Sequence, residues 1–309
     1  MLKDKKMKTI KIILTLIIAT ILFTSIYAVK NENIEPSFYV YNTIVEYDSQ
    51  SNYALVINRE NKKVKYDKNS ETKAYPASLT KLMTVLVAIE NIEDMEALVS
   101  IDVDSYYEMI EQDSSMAGFY PNEQVSYWDL LHGTMLSSGG EATNSLAIGI
   151  SKTQAEFVKL MNKKAKDLGM FNTNFTNVEG LHNDNQYSTA QDMVKLLDIA
   201  LENPVFREII TTITHQTIST DQHPEGIELT SVIIKYLDTF NNGEYKIIGG
   251  KPGYTPEAGI NLAVIGIKNG VEYISVLMNA PINEYSKRFE IFSVDTIEIF
   301  ERLNESTDK

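Results

Sequence analysis

Cysteine is absent from the 309 residues of this chain, so disulfides, cysteine-ligated zinc and catalysis by a thiol are excluded. Basic residues are also scarce. The 28 lysines and arginines stand against 42 aspartates and glutamates, and a net charge of -14 is unsuited to binding nucleic acid, which needs a basic surface. The 15 glycines and 8 prolines are too few for a fibrous or largely disordered chain. With 43% apolar residues, the chain can bury the core of one large domain or of two closely joined subdomains.

Histidine is rare as well, with four residues in the chain. No two of them lie four residues apart on a predicted helix beside a glutamate, which is the spacing of a zinc peptidase site. We therefore predict neither a metal nor any other cofactor. We expect all four side chains on the surface or in loops: His132, His182, His215 and His223.

The N-terminus combines a basic start with a long apolar run. Five lysines within the first 11 residues precede residues 12–29, which carry no charge and are rich in isoleucine and leucine. This arrangement predicts export, through either a cleaved signal peptide or a retained membrane anchor at residues 1–29. The sequence does not decide between the cleaved signal peptide and the retained anchor. Ala28 suits a cleavage site, whereas Ile26 is large for its position, and a run of 18 residues is just long enough to span a bilayer.

The hydrophobic pattern changes along the chain from strand to helix and back to strand. Two short apolar runs, Tyr53–Ile57 and Val64–Tyr66, flank a polar turn and predict a hairpin. Helical spacing dominates residues 78–201, and strand-like runs dominate residues 215–279. A final amphipathic helix is predicted over residues 284–303. This order predicts an α+β fold in which helices flank an antiparallel sheet and an all-helical lobe is inserted between strands.

Ser78 and Lys81 are the first candidates for catalysis. Residues three apart on a helix share a face, so the Lys81 amine can reach the Ser78 hydroxyl. A serine hydroxyl needs a base to become a nucleophile, and a lysine can be that base when burial lowers its pKa. The same spacing occurs at Ser70 and Ser306, but only Ser78 opens an apolar helix that would bury the pair. On this pattern alone, a helix-capping serine followed by a solvated lysine is the better interpretation.

The residues around Ser78 reverse that interpretation. Residues 74–84, AYPASLTKLMT, closely resemble the nucleophile segment of the D-alanyl-D-alanine carboxypeptidases, which are the low-molecular-weight penicillin-binding proteins. Residues 130–142 resemble the second motif region of that family, and residues 250–255, GKPGYT, resemble the third. The resemblance implies the penicillin-binding, β-lactamase-like fold. It extends from about Ser51 to the last helix, with further matches in the family's order at residues 157–170 and 173–190.

The resemblance implies a catalytic role for three residues. Ser78 would attack the carbonyl between two D-alanines of a peptidoglycan stem peptide, and Lys81 would take its proton. Ser138 would pass a proton to the leaving D-alanine, and water would release the shortened peptide from the acyl-enzyme. β-Lactams would be covalent inhibitors. A β-lactamase is a weaker alternative, because the middle of the chain resembles the carboxypeptidases.

The third motif implies a substrate-binding strand. Lys251 would place a positive charge beside the substrate carboxylate, and Gly253 would let the substrate approach the backbone closely. The backbone N–H groups of Ser78 and Tyr254 would form the oxyanion hole, and Thr255 would be a further substrate-binding residue of this strand.

Two departures from the family pattern open a second hypothesis. Gly140 stands where the second motif has an asparagine, and Pro252 replaces the threonine of the third motif. Pro252 is compatible with a strand if the backbone nitrogen at this position points to a free edge of the sheet, where no hydrogen bond to a neighbouring strand is lost. The lost polar groups would each cost on the order of 10²–10³ in rate. The alternative is therefore a catalytically weak or inactive relative that binds wall peptides or β-lactams.

The domain organisation follows from the same resemblance. Residues 1–29 are the signal peptide or anchor, residues 30–37 a tether, residues 38–303 the penicillin-binding transpeptidase-like or carboxypeptidase domain, and residues 304–309 a polar tail. We expect the protein at the outer face of the cell membrane or secreted into the cell-wall space. The family often carries a C-terminal membrane helix, so a retained N-terminal anchor is the natural attachment expected for this chain.

Overall fold

The computed structural model describes residues 39–41, 45–231, 233, 243–282 and 288–303. The chain divides into an N-terminal unit, Met1–Val40, and a large unit, Tyr41–Lys309. The predicted leader, tether and polar tail lie outside the described residues, and their assignments stay predictions. None of the described helices is long and apolar enough to cross a bilayer.

Six strands form the main sheet of the described residues. They are β1 (Val40–Tyr41), β2 (Tyr53–Asn58), β3 (Lys63–Lys68), β8 (Tyr245–Thr255), β9 (Gly259–Lys268) and β10 (Val271–Ala280). Their order in the sheet is β1-β3-β2-β10-β9-β8, and the pairs from β3 to β8 are antiparallel. The strand β2 precedes the helices in the chain and pairs with β10, which follows most of them. The helical part is therefore inserted between strands of one sheet, as the pattern predicted.

Eight α-helices lie in the described ranges. They are α1 (Thr80–Asn91), α2 (Val103–Glu111), α3 (Tyr127–Met135), α4 (Gly140–Ser151), α5 (Gln154–Asp167), α6 (Ala190–Ala200), α7 (Pro204–Thr211) and α8 (Arg288–Arg302). The inserted lobe also contains a small antiparallel pair, β4 (Leu98–Ser100) with β5 (Gln124–Ser126). A second short pair joins β6 (Thr214–Gln216) to β7 (Glu228–Thr230).

Side-chain caps explain where five of these helices begin. In each case an aspartate, serine, threonine or asparagine accepts a hydrogen bond from a backbone N–H of the first turn, which would otherwise lack a partner. The caps are Asp102 for α2, Ser126 for α3, Thr153 for α5, Thr189 for α6 and Asn203 for α7.

The two faces of the sheet are covered by different helices. Ile260, Leu262 and Val264 alternate along β9 and therefore share one face, which packs with Phe300 of α8. The intervening residues face the opposite side, where α6 packs against β2 and β10. Nine of the ten residues of β9 are buried, as expected for a strand covered on both faces.

The strand β8 forms one edge of the sheet, and this confirms the edge position expected for Pro252. The pairing with β9 runs without a shift in register from Gly249 to Thr255, with Pro252 opposite Leu262. Because proline has no N–H, position 252 makes no donor contribution to this ladder. The chain can therefore carry a proline here without interrupting the sheet.

Candidate active site

Ser78 lies in a single 3₁₀ turn, Ala77–Leu79, directly before α1. Ser78 does not cap this helix, because the N-cap is Leu79 and no side chain caps the helix. The capping interpretation, already rejected from the neighbouring residues, is therefore excluded by the structure as well. Ala77 has a φ of +47°, a left-handed conformation that costs a residue with a β-carbon about 1–2 kcal/mol. The hydroxyl of Ser78 is thus left uncommitted to capping, on a backbone held in a strained turn.

Two glycines hold that turn in place by close packing. A β-carbon on Gly180 would lie 2.0 Å from the Ala77 carbonyl oxygen, and one on Gly253 would lie 2.9 Å from the Ser78 nitrogen. Only a hydrogen at these positions allows the two segments to approach the nucleophile so closely. Gly253 of the third motif therefore lies beside Ser78.

Lys81 follows Ser78 on the first turn of α1 and is 2% exposed. Its Nζ lies 3.3 Å from Ser78 Oγ and donates a 2.6 Å hydrogen bond to the backbone carbonyl of Glu179. Burial lowers the pKa of Lys81 to about 8, although the negative charges of Glu179 and Glu141 act in the opposite direction. A lysine with this pKa is neutral in roughly one molecule in ten at pH 7, so it can accept a proton.

Ser138 brings a second hydroxyl to the same oxygen. Its Oγ donates to Ser78 Oγ at 3.1 Å, although the two residues are 60 positions apart in the chain. Ser138 has a φ of +59° in the turn that precedes α4. The three predicted catalytic groups therefore converge, with the hydroxyl of Ser138 and the amine of Lys81 both within 3.5 Å of one nucleophilic oxygen.

Lys251 lies on the face of β8 that is turned toward the nucleophile. It pairs with Ala263 and Gly253 pairs with Asn261, so all four share the sheet face opposite α8. The Asn261 amide donates to the carbonyl of Tyr75, three residues before Ser78. Lys251 is fully buried, and burial together with the positive charge of Lys81 lowers its pKa well below the ordinary lysine value.

The other two residues of the predicted substrate-binding strand lie farther along β8. Tyr254 is partly buried, and its predicted share in an oxyanion hole stays a prediction. The Thr255 hydroxyl accepts a hydrogen bond from the Ala258 N–H and so stabilises the β8–β9 turn. This observed contact gives Thr255 a structural role in addition to its place in the motif.

The space beside Gly140 is already filled. A β-carbon at this position would lie 2.7 Å from both Met109 Sδ and Ser114 Oγ. The Gly140 N–H donates to the carbonyl of Ser115 at 2.7 Å, which joins the start of α4 to the loop after α2. An asparagine side chain therefore does not fit this backbone without displacing Met109 or Ser114.

Sequence reasoning gave no role to Glu141, which the structure places at the centre of this region. Its Oε1 accepts hydrogen bonds from the backbone N–H groups of Ala117, Gly118 and Phe119. Its Oε2 is buried without a hydrogen-bond partner among the described residues. Burial raises the pKa of Glu141, while the backbone donors oppose that shift. The sequence signal that could have identified Glu141 was the presence of an acidic residue inside the second motif.

The expectation for the histidines is wrong for His132, which is 2% exposed on α3. It stacks on His215 with ring centroids 3.9 Å apart, and His215 Nε2 bonds to the buried carboxylate of Asp129 at 2.8 Å. Burial lowers the pKa of His132 to about 4. Burial also opposes ionisation of Asp129, but hydrogen bonds from His215 and Ser126 outweigh it and lower that pKa. These contacts join β6 to α3.

Of the other Ser-x-x-Lys pairs, Ser306 lies outside the described residues. Ser70 is buried, while Lys73 Nζ lies 3.9 Å over the ring of Tyr187. Lys73 is thus directed at an aromatic face and not at Ser70. The pair that the neighbouring residues had singled out is the one with catalytic geometry.

Comparison with known proteins agrees with this geometry. The family model described as D-alanyl-D-alanine carboxypeptidase matches residues 41–282. Carboxypeptidase DacF of Bacillus subtilis is 31% identical over 227 residues, 74% of this chain and 57% of the relative. Carboxypeptidase DacC of Escherichia coli is 32% identical over 225 residues, 71% of this chain and 54% of the relative. The chain thus spans a little over half the length of these relatives.

The fold is shared with solved structures. The crystal structure of a Streptomyces DD-transpeptidase superposes with a TM-score of 0.74 at 24% sequence identity, covering 83% of this chain and 98% of that one. At this identity the likeness establishes the α+β fold that the motif order implied, and the chemistry must be argued from the side chains.

Proposed function

We propose a function from the premise that this chain belongs to the D-alanyl-D-alanine carboxypeptidase family. The protein is a serine peptidase that removes the terminal D-alanine from peptidoglycan stem peptides. The observation that carries the proposal is the convergence of Lys81 and Ser138 on the Ser78 oxygen, at 3.3 Å and 3.1 Å. A nucleophile, a base with a lowered pKa and a second proton carrier are the groups that acyl transfer requires.

Acylation begins with the neutral Lys81 amine. It takes the proton of Ser78 as the oxygen bonds to the carbonyl carbon of the penultimate D-alanine. The negative charge that forms on the carbonyl oxygen requires donors, which the proposal assigns to the backbone N–H groups of Ser78 and Tyr254. The C–N bond then breaks. Ser138 gives its proton to the leaving nitrogen and regains one from the Lys81 ammonium.

Deacylation reverses these proton transfers. A water molecule gives a proton to the neutral amine of Lys81 and attacks the ester carbon. The Ser78 oxygen leaves and is reprotonated, so the enzyme returns to its starting state. Free D-alanine and a peptide shortened by one residue are the products.

Lys251 suits recognition of a free carboxylate at the substrate's C-terminus. It is fully buried, so an ammonium there is unfavourable until an opposite charge arrives. A bound carboxylate would raise the pKa of Lys251 and stabilise its charged form. This requirement favours cleavage at a free chain end over cleavage within a chain, and it allows binding without the hydroxyl that Pro252 removes.

We further propose that the domain acts outside the cell membrane, carried there by residues 1–29 as a signal peptide or anchor. The basic start and the apolar run support this location. A wall peptide is an extracellular substrate, which accords with export. Membrane attachment through this segment can be measured by fractionation of cells that express the full chain.

The proposal is tested by intact-mass spectrometry of the full chain after incubation with benzylpenicillin, alongside D-alanine release from a tripeptide ending in D-Ala-D-Ala. We expect a one-drug adduct on Ser78 and release of D-alanine, and loss of both in Ser78→Ala. Ser70→Ala is the matched control, since Ser70 is a buried serine in the same Ser-x-x-Lys pattern.

Three outcomes would contradict the proposal. Full D-alanine release by Ser78→Ala would remove Ser78 from the chemistry. A folded wild-type protein that forms no adduct would favour a wall-binding protein without turnover. An adduct without D-alanine release would mean that the site captures β-lactams but does not hydrolyse peptides.

A further inference from the structure

The second motif is joined to the loop after α2 by a set of backbone hydrogen bonds. Gly140 N–H donates to the Ser115 carbonyl at 2.7 Å, and Ser114 N–H donates to the Met109 carbonyl at 2.9 Å. The carboxylate of Glu141 accepts from Ala117 N–H at 2.7 Å. The loop is therefore fixed on both sides of Ser114, and the position of that side chain follows from the position of α4.

The Ser114 hydroxyl occupies the space that a side chain at position 140 would take. Its oxygen lies 2.7 Å from the place of a β-carbon on Gly140. Met109 fills the rest of that space and is 1% exposed, whereas Ser114 is half-buried. Because position 140 is glycine, no side chain there covers the hydroxyl.

This hydroxyl is weakly engaged within the protein. Its hydrogen bond to the Ser115 carbonyl is 3.4 Å long, beyond the usual range for an O–H···O bond. A hydroxyl held on a fixed loop with a poor internal partner is available to donate to, or accept from, a ligand. The backbone that carries it is already fixed by the loop, so binding orders only the side chain.

Ser114 lies beside Gly140 at the start of α4. Gly140 follows Ser138 by two residues, which places its Cα within roughly 7.6 Å of the Ser138 Cα. The Ser138 hydroxyl in turn contacts the nucleophile at 3.1 Å. If the terminal carboxylate is directed to Lys251 on β8, the acyl side of the substrate extends from Ser78 away from β8 and toward the start of α4, beside which Ser114 lies.

We infer that Ser114 hydrogen-bonds the amide on the acyl side of the substrate and thereby positions the scissile carbonyl at Ser78. The inference rests on the proposed function. It assigns to the loop after α2 a polar contact that the glycine at position 140 cannot make. The ligand class is an acylamino group, which both stem peptides and penicillins with an acyl side chain carry.

The test compares acylation rates of wild type, Ser114→Ala and Ser115→Ala with two probes, followed by intact mass. Benzylpenicillin has an acylamino group, and 6-aminopenicillanic acid has a free amine instead. We expect Ser114→Ala to slow acylation by benzylpenicillin about fivefold to tenfold, the loss of one neutral hydrogen bond. With 6-aminopenicillanic acid its rate should stay within about twofold of wild type.

Ser115→Ala is the matched control, because Ser115 is the exposed neighbour whose backbone carbonyl, not its side chain, accepts from Gly140. It should leave both rates within about twofold of wild type. An equal loss with both probes in Ser114→Ala would overturn the inference, because it would reveal a role in loop structure alone. An unchanged benzylpenicillin rate would overturn it as well. If wild type forms no adduct with either probe, the proposed function fails and the inference falls with it.

Discussion

Gly180 lies against Ala77 so closely that a β-carbon on the glycine would be 2.0 Å from the alanine carbonyl oxygen. This contact fixes the turn that carries the nucleophile. The Ala77 carbonyl oxygen leaves no room for a side chain at position 180. Gly180 also has a φ of +94°, which disfavours any residue with a β-carbon.

Gly180→Ala should therefore destabilise the protein by about 3 kcal/mol or more and greatly slow acylation, because both overpacking and backbone strain oppose it. Urea unfolding and penicillin acylation measure the two effects. Gly270→Ala is the control, since Gly270 also has a positive φ but has open space around it. If both variants lose the same stability, the clash with Ala77 contributes nothing.

The rate of acylation should rise with pH through about pH 8. Lys81 must be neutral to accept the Ser78 proton, and its pKa is about 8, so raising the pH increases the reactive fraction. Fluorescent-penicillin acylation from pH 6 to pH 10 measures the profile. A rate independent of pH across this range would contradict Lys81 as the base.

Glu141→Gln should move that profile to lower pH and increase the rate at pH 7. The negative charge of Glu141 raises the pKa of Lys81, so removing the charge lowers it. Glutamine keeps an oxygen that can accept from the loop backbone. Glu123→Gln is the control, because Glu123 is equally buried but binds His223 and Tyr120 instead. Equal profiles for the two variants would exclude an electrostatic effect of Glu141.

Introducing the family's asparagine at position 140 should harm this protein. Gly140→Asn forces a side chain against Met109 and Ser114, and we expect a loss of about 1–3 kcal/mol in unfolding free energy and slower acylation. Adding Met109→Ala should relieve part of both losses. Faster acylation by the single variant would mean that the loop can move aside freely.

Asp295 should be a major source of stability. Its buried carboxylate on α8 accepts from Tyr47 Oη, Ser51 Oγ and the backbone N–H groups of Gln50 and Ser51, which joins the last helix to the segment before β2. Asp295→Ala leaves these donors without their acceptor and should lower the free energy of unfolding, measured in urea, by about 3–5 kcal/mol. The exposed Glu301 on the same helix is the control, and Glu301→Ala should change stability by less than about 0.5 kcal/mol.

Long periodic segments were predictable from the sequence because their hydrophobic spacing repeats over several turns or strands. The helical spacing over residues 78–201 corresponds to α1 and α3–α6, and the strand-like runs over residues 215–279 include β8, β9 and β10. The short elements α2, β4 and α7 were not predicted individually, since three to nine residues contain too few repeats of a period. They are positioned by tertiary contacts and caps.

Some contacts of the candidate active site were predictable from the sequence and others were not. Ser78 and Lys81 are one helical turn apart, and their pairing is readable from local spacing. The contact of Ser138 with Ser78 needed the family resemblance, because nothing local joins residues 60 apart. The contacts of Gly140 with Ser114 and Met109 depend on how α2 and its loop pack on α4, which no single-chain pattern specifies.

Pro252 has a further consequence for how molecules meet one another. An edge strand is a template on which a second chain can add a strand, and such addition leads to aggregation. A strand from another molecule aligned along all of β8 would find no donor at Pro252, in the middle of its ladder. A short peptide needs few of those bonds and can lie beside Gly253 and Tyr254 without spanning the gap. The same proline that removes a hydroxyl from the cleft thus disfavours edge-to-edge self-association of the domain.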